Sequence, residues 1–226
     1  MSESRHDADK PGWFERVLAM TPESCRVRVQ DCDIHYLRWG LEGASLPGLL
    51  FLHAGGAHER WWSFLAPFFA HGRPVAALDF SGMGESGRRP VYTSAAHVAE
   101  IAAVLEDAVL GAAPVVVGHS FGCYMAMCHG HQFGWNLHGI VFVDTALRPH
   151  AETVLEPVKA YDRPPKHYAD RATILRRFRL GPTQPCDNRY LLDFIAEHSI
   201  TRCRLRMDLE VRWGGTRGGT SRGTAG

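Results

Sequence analysis

Four short apolar runs constrain the fold of this chain more than any other feature of its sequence. They read PGLLFLH, RPVAALDF, PVVVGHS and HGIVFVD, and each ends in a polar residue or a glycine. Uninterrupted apolar runs of this length are typical of strands that are buried on both faces of a parallel sheet. Two alternating segments around a turn at Asp31–Cys32 precede them and predict a hairpin over residues 25–39.

Helical segments separate these runs. Five apolar residues of Ala95–Val109, the last of them Val109, fall on one face at helical spacing, and Arg60–Ala70 and Phe121–Gln132 have similar patterns. Strand and helix therefore alternate along the chain. This order predicts an α/β fold with a mostly parallel central sheet flanked by helices.

The pattern changes twice toward the C-terminus. Residues 1–148 carry the predicted α/β core. Residues 149–200 contain no buried strand run but include two amphipathic segments, ATILRRFRL and NRYLLDFIAEHSI, so we expect a mainly helical cap inserted over the sheet. Residues 201–226 are dominated by Arg, Gly and Thr and have the character of an irregular tail.

Composition excludes several classes of function. The chain has 226 residues and a formal net charge of +1, which does not indicate binding to nucleic acid or to an anionic membrane. No apolar run is long enough to span a bilayer, and the polar N-terminus does not resemble a secretory signal. The six cysteines form no CxxC pair, so we expect free thiols and a cytoplasmic protein.

The strongest local motif is Gly118-His119-Ser120-Phe121-Gly122, which fits G-x-S-x-G. An apolar strand precedes it and a helix follows it, as this motif requires. The glycines allow a sharp turn that exposes the serine hydroxyl at the end of the strand. We therefore predict that Ser120 is a nucleophile.

A second motif, His53-Ala54-Gly55-Gly56, follows an earlier strand. Acyl transfer requires two backbone N–H groups that point at the oxyanion formed during the reaction. The N–H groups of Phe121 and Gly55 are the two candidates, because glycine allows a close approach of the backbone.

A third motif follows the next strand and contains Asp79, Gly82, Gly84 and Ser86 within DFSGMGES. We expect a structural role, as a tight loop that forms one wall of the site. A phosphate-binding role is not supported, because the segment is neither GxGxxG nor a P-loop with its lysine.

Taken together and in this order, the three motifs resemble the α/β-hydrolase fold family over about residues 25–200. HAGG lies where members carry HG-x, DFSGMGES resembles their D-x-x-G-x-G-x-S loop, and GHSFG resembles their nucleophile elbow. The resemblance implies that Ser120 attacks a carbonyl, that a histidine oriented by an acid accepts its proton, and that water hydrolyses the acyl-enzyme. It implies a small carboxylic ester or a related acyl or C–C substrate, with no cofactor and with the oligomeric state open.

The acid and the base of this triad are not evident. In the family the order is serine, acid, histidine, with the acid after a seventh strand and the histidine after an eighth. The sequence shows neither strand. Asp144, at the end of HGIVFVD, lies where a minority of members place the acid, whereas His150, His167 and His198 are weak candidates for the base.

A frameshift would explain the missing strands. One choice of codons for Arg206–Arg212, read one base later, gives GWTWKFD, with which similar bacterial members continue. We therefore hypothesise that the tail is out of frame, and we expect little esterase activity from this chain. The strand HGIVFVD would then form an exposed apolar edge of the sheet, which favours aggregation.

Four other interpretations remain open. The chain could be a non-catalytic module that binds a small ligand in a hydrolase-like pocket. The arginines and glycines of residues 201–226 resemble an RNA-binding segment, although aromatic residues are sparse there. A metal site at Cys128, His129 and His131 does not meet zinc spacing, and Arg176, Arg177 and Arg179 fit a solvated helix face better than an acidic-substrate pocket.

Overall fold

The computed structural model describes residues 10–40, 45–145, 158–159, 170–181, 183–201 and 206–207. A central six-stranded sheet organises these residues, with helices and 3-10 turns packed on its two faces. The strands are β1 (Glu23–Val29), β2 (Cys32–Trp39), β3 (Leu49–Leu52), β4 (Val75–Leu78), β5 (Val91–Tyr92), β6 (Val115–His119), β7 (Gly139–Val143), β8 (Val158–Lys159), β9 (Ile200–Thr201) and β10 (Arg206–Met207). The helices are α1 (Gly12–Ala19), α2 (Ser94–Asp107), α3 (Phe121–Phe133), α4 (Arg171–Arg177) and α5 (Arg189–His198).

The order of strands in the sheet is β1-β2-β4-β3-β6-β7. The β1–β2 hairpin is antiparallel, as is the pairing of β2 with β4, and the three pairings among β4, β3, β6 and β7 are parallel. The predicted α/β fold with a mostly parallel sheet is confirmed. The registers that matter for the site place Leu52 beside Gly118 and His119 beside Val143. The loops after β3, β6 and β7 therefore emerge at the same end of the sheet, where the parallel strands finish.

Side chains of the inner strands alternate between two cores. Leu50 and Leu52 of β3 pack with Ile101 of α2 and Met125 of α3 on one face of the sheet. Leu49 and Phe51 pack with Trp62 on the other face. Burial of each large apolar side chain stabilises the fold by roughly 1.5–3 kcal/mol. Because both faces are covered, these strands need the continuous apolar sequences by which they were predicted.

Two predicted helices differ from the structure. Residues Arg60–Ala70 do not form one helix but two 3-10 turns, Glu59–Trp62 and Ala66–Phe69. Pro67 lies in the first turn of the second segment, where the missing N–H prevents a continuous helix through this point. Helix α2 ends at Asp107, so Val109 lies beyond it with a positive φ of 54° and 69% of its surface exposed, not on the buried face.

The N-terminal helix α1 had no counterpart in the sequence analysis. It begins after Pro11, which cannot donate a backbone hydrogen bond and suits this position. Its buried side chains are those of Phe14 and Val17. Aromatic contacts of Phe14 with Tyr190 and Phe194 join α1 to α5.

Helices α4 and α5 correspond to the two amphipathic segments of the predicted cap. The Asp170 side chain accepts the N–H of Thr173 at 2.7 Å and caps the start of α4. Phe178, Ile195 and Ala196 form a small core with partly buried neighbours such as Trp61. Most of residues 149–169 and nearly all of the tail lie outside the described part of the chain, and none of the described helices is long and apolar enough to cross a membrane.

Candidate active site

Ser120 lies at the turn between β6 and α3, and β6 lies between β3 and β7 in the sheet. Its backbone has φ 49° and ψ −109°, a conformation that non-glycine residues rarely adopt. The Ser120 N–H donates to the carbonyl of Val143 at 3.1 Å, and its carbonyl accepts the N–H of Cys123 at 3.0 Å. Hydrogen bonds on both sides thus hold the strained turn in place.

The two glycines of this motif are required by packing. A Cβ atom at Gly122 would lie 2.5 Å from the carbonyl oxygen of Leu52, and one at Gly118 would lie 2.7 Å from the backbone nitrogen of Cys123. Both distances are too short for any side chain. The first turn of α3 therefore packs directly against the end of β3, which brings the motif beside the loop that contains Gly55.

That loop, residues 53–57, is held by its own hydrogen bonds. Ala57 N–H donates to the carbonyl of Ala54 at 3.1 Å, and Gly56 N–H donates to the sulfur of Met83 at 3.3 Å. Gly56 has a φ of 72°, which suits glycine. Gly55 is exposed, and no hydrogen bond within the described ranges uses its N–H.

His53 joins two of the predicted loops. Its Nδ1–H donates to the carbonyl of Ala54 at 2.7 Å, and its Nε2 accepts the N–H of Phe80 at 3.2 Å. Complete burial lowers the pKa of His53 to about 4, so the ring is neutral. Both ring nitrogens are used, and His53 therefore positions the loops rather than exchanging protons.

Asp79 organises the third loop. Its carboxylate accepts the N–H of Glu59 at 2.8 Å, the N–H of Glu85 at 2.9 Å and Nδ1–H of His35 at 3.0 Å. The hydroxyl of Ser86 donates to the Asp79 carbonyl at 2.6 Å. Because it accepts so many bonds in a fully buried place, Asp79 holds the loop in a single conformation.

The glycines of this loop allow the turn around that carboxylate. Gly84 has a φ of 52°, and a Cβ atom there would collide with the side chain of Asp79. Gly82 has a φ of 82°, and a Cβ atom there would lie 2.6 Å from the hydroxyl of Tyr92. These two glycines thus allow the third motif to form a tight loop around the Asp79 carboxylate.

One group of potential metal ligands occurs in the described part of the chain: His35, Glu59 and Asp79, with ligand atoms within 4.8 Å of one another. Burial and the neighbouring Asp79, with which Glu59 shares a hydrogen bond, raise the pKa of Glu59 well above its ordinary value. Arg60 Nε also lies 3.1 Å from Glu59. The group is buried and satisfied internally, so its geometry supports a structural network and not an open metal site.

The alternative metal site at Cys128, His129 and His131 is not assembled. His129 is buried against Phe133, Cys128 is half-buried, and His131 is exposed at the end of α3. Neighbouring positions on the helix point in different directions, as expected.

The acid candidate Asp144 lies beside the elbow, since its neighbour Val143 accepts the Ser120 N–H. Its φ is 47°, its side chain is 93% exposed, and its Oδ2 is 4.0 Å from Nε2 of His119. That distance is too long for a hydrogen bond. Asp144 therefore has no histidine to orient among the residues that the structure describes.

No base for Ser120 is present in the described ranges either. The Ser120 hydroxyl makes no hydrogen bond there. His198 donates Nδ1–H to the Phe194 carbonyl at 2.8 Å and packs on the Phe194 ring with centroids 4.2 Å apart. The other two candidates, His150 and His167, lie outside the described residues.

Two contacts near the site had no sequence signal that could have revealed them. His58 hydrogen-bonds through Nε2 to the Ser199 hydroxyl at 2.9 Å, although 141 residues separate them. The hydroxyl itself donates to the Ile195 carbonyl at 2.7 Å, so Nε2–H of His58 is the donor, and burial lowers the pKa of His58 to about 3. The Cys123 thiol donates to the Gly118 carbonyl at 2.9 Å and so helps to hold the turn between β6 and α3.

Two curated proteins and a solved structure are similar to this chain. Lipase LipV of Mycobacterium tuberculosis is 33% identical over 148 residues, which are 62% of this chain and 55% of that protein. Esterase Rv0045c of the same organism is 34% identical over 134 residues, which are 57% and 43% of the two chains. The chain thus spans about half the length of the curated relatives that it matches.

The solved structure of a thioesterase domain from the curacin biosynthetic pathway superposes with a TM-score of 0.64 at 19% identity, over 84% of this chain and 73% of that domain. This likeness shows the fold. The model of the "Alpha/beta hydrolase family" matches residues 49–218, three quarters of the chain, and includes all three motifs. The chain therefore belongs to the alpha/beta hydrolase family.

Proposed function

We propose that this protein is a serine hydrolase that cleaves a small carboxylic ester, or a related acyl or C–C substrate, through an acyl-enzyme on Ser120. One observation carries the proposal: Ser120 has a strained backbone at the junction of a central strand and a helix, with a hydroxyl that no described group engages. Strain of this kind costs about 1–3 kcal/mol and clusters at active sites. The names of the similar proteins, a lipase, an esterase and a thioesterase, support acyl transfer.

The oxyanion donors in this proposal are the N–H groups of Phe121 and Gly55. Phe121 is the first residue of α3, where the backbone N–H groups point out of the helix and the helix dipole favours negative charge. Gly55 lies in the loop after β3, and Leu52 of β3 touches Gly122. Loss of one such donor lowers turnover about 100- to 1000-fold in well-studied hydrolases.

Turnover by this chain is expected to be slow, because no described histidine can deprotonate Ser120. Loss of a triad residue lowers turnover on the order of a million-fold, and the remaining oxyanion and binding contacts retain a rate roughly 1000-fold above that in water. Asp144 remains an outside candidate for the acid, since it is close to the elbow but exposed.

A fluorophosphonate probe tests the nucleophile directly, because it bonds covalently to a serine hydroxyl at a rate set by the reactivity of that hydroxyl. Since no described histidine deprotonates Ser120, we expect labelling that is slow but that peptide mass spectrometry places on Ser120, that Ser120→Ala abolishes and that the matched variant Ser94→Ala retains. Hydrolysis of p-nitrophenyl butyrate measured in parallel is expected to be weak. Labelling that persists in Ser120→Ala, or that maps elsewhere, contradicts the proposal.

The second candidate function is non-catalytic binding of a small ligand in the same place. It is favoured by the lack of a histidine partner for Ser120 in the part of the chain that the structure describes. In that case the probe leaves Ser120 unlabelled, whereas short-chain carboxylic acids raise the melting temperature equally in the parent chain and in Ser120→Ala.

A further inference from the structure

The loop of residues 53–57, which carries the proposed oxyanion donor Gly55, ends at a buried histidine. His58 follows the loop directly and is 6% exposed. It has an extended backbone, with φ −153° and ψ 170°, and precedes the first 3-10 turn. Only Gly56 and Ala57 separate it from Gly55, so a shift of His58 reaches the Gly55 N–H over a short stretch of backbone.

The His58 side chain is bonded to the C-terminal end of α5. Its Nε2–H donates to the Ser199 hydroxyl at 2.9 Å, and that hydroxyl donates to the Ile195 carbonyl at 2.7 Å. Burial lowers the pKa of His58 to about 3, so the ring is neutral above that pH and has a single N–H to donate. The backbone N–H of Ser199 also donates to the Ile195 carbonyl, at 3.0 Å. Ser199 is thus held firmly by the helix, and His58 is held by Ser199.

The other hydrogen bonds of this segment do not reach α5. The bond from Ala57 to Ala54 lies within the loop and moves with it, and the Gly56 N–H has a thioether sulfur, a weak acceptor, as its partner. The N–H of Glu59 donates to Asp79 and fixes the segment to the third motif. Within the described ranges, the His58 side chain therefore provides the hydrogen bonding between this segment and α5.

Apolar packing accompanies this bond. Ile195 and Ala196 of α5 form a small core with Trp61 and Phe64, which lie just beyond His58. Apolar contacts are not directional, so they hold α5 against the segment without defining its exact position. A hydrogen bond is directional and does define it.

We propose that His58 is a positioning residue whose bond to Ser199 makes the placement of the Gly55 N–H depend on the position of α5. This inference rests on the proposed function, because it concerns an oxyanion donor of the same site. A displacement of α5, by a substrate or by a substitution, would then move the donor. Misplacement by about 1 Å can lower a catalysed rate on the order of 100-fold.

Four variants of the full chain test this coupling. His58→Leu removes the donor without leaving a large cavity, and Ser199→Ala removes the acceptor. His58→Gln is the conservative variant, because its amide can place an N–H near the position of Nε2. Trp39→Phe is the matched control: it also loses one hydrogen bond, from Nε1–H to the Met20 carbonyl at 3.1 Å, but it lies beside Val75 at the start of β4, away from the motif loops.

Amide hydrogen exchange of residues 53–58, measured by mass spectrometry, reports on the loop without any reaction at Ser120. We expect roughly tenfold faster exchange in His58→Leu and Ser199→Ala, because a buried hydrogen bond is lost and the loop opens locally more often. Exchange in His58→Gln and Trp39→Phe should stay close to that of the parent. Unchanged exchange in both His58→Leu and Ser199→Ala overturns the inference.

The rate of fluorophosphonate labelling reports on the site itself, because the phosphonyl oxygen of the probe takes the place of the oxyanion. Labelling of Ser120 is expected to slow about 10- to 100-fold in His58→Leu and Ser199→Ala and to recover in His58→Gln. Trp39→Phe should label at the parent rate although its melting temperature falls. A merely structural role of His58 predicts instead that labelling follows the melting temperature in all four variants, and that result overturns the inference.

The two assays separate this inference from the proposed function. A parent chain that is not labelled at Ser120 contradicts the proposed function, and the exchange of residues 53–58 still decides whether His58 couples the loop to α5. A parent chain that is labelled, with His58→Leu and Ser199→Ala labelled equally fast, leaves the proposed function intact and overturns the positioning role of His58.

Discussion

Gly122→Ala tests whether close packing of α3 on β3 holds the elbow in place. The new methyl group would meet the Leu52 carbonyl oxygen at 2.5 Å and the Leu52 carbonyl carbon at 2.8 Å. These are backbone atoms of a fully buried strand, so the helix must move away. Overpacking of this kind costs about 1–3 kcal/mol. The higher helix propensity of alanine returns at most about 1 kcal/mol. We expect a net destabilisation of about 1–2 kcal/mol.

The assay is urea unfolding followed by tryptophan fluorescence, with thermal unfolding beside it. For a chain of this size about 1–2 kcal/mol corresponds to a fall in melting temperature of roughly 2–8 °C. Gly134→Ala is the matched control, because Gly134 has a φ of −59° and a Cβ atom there meets nothing within 4 Å. Alanine at this position is expected to stabilise the protein by about 0.4–1 kcal/mol, through a smaller entropy of the unfolded chain.

Gly122→Ala is also expected to lower the reactivity of Ser120. Movement of α3 away from β3 separates the N–H of Phe121 from the loop of Gly55, so fluorophosphonate labelling of Ser120 should slow in Gly122→Ala and be unchanged in Gly134→Ala. If Gly122→Ala is as stable as Gly134→Ala and labels at the parent rate, the packing argument is wrong.

Three further predictions concern the buried polar network beside the site. Asp79→Asn is expected to lower the free energy of unfolding by about 2–4 kcal/mol, because an amide cannot accept from both backbone N–H donors and His35; urea unfolding measures it. Burial raises the folded-state pKa of Glu59 above its ordinary 4.5, so the free energy of unfolding should fall as the pH rises from 4.5 to the raised pKa. Glu59→Gln cannot ionise and should lack this fall. Parallel curves of stability against pH for the variant and the parent would refute this. The pKa of His53 falls from 6.5 to about 4 on folding, so about 3 kcal/mol of stability should be lost as pH falls through this window, and His53→Gln should show a smaller loss in acid unfolding.

The sheet could be predicted from the sequence because its signal is local. Each inner strand is buried on both faces, so its sequence is continuously apolar, and the hairpin has its own turn. The elbow motif could be recognised because Gly118 and Gly122 are neighbours of Ser120 in sequence, although the contact that requires Gly122 is a long-range one, to Leu52 of β3.

The remaining features depend on contacts that sequence patterns do not encode. The apolar periodicity of Arg60–Ala70 suggested one helix, but Pro67 and packing onto the sheet produce two 3-10 turns. Val109 continued the apolar pattern of α2, yet the chain had already turned toward β6. The bond from His58 to Ser199 joins residues 141 positions apart, and only the folded cap brings them together.

The backbone conformation of Ser120 lowers the stability of the fold at the residue that is proposed to carry the chemistry. Glycine adopts a φ near 49° without a steric penalty, whereas serine in this conformation costs about 1–3 kcal/mol. The fold would thus tolerate, and even favour, the loss of its only candidate nucleophile at the elbow. Relative to glycine, serine at this position thus gives up part of the stability of the fold for the hydroxyl on which the proposed function depends.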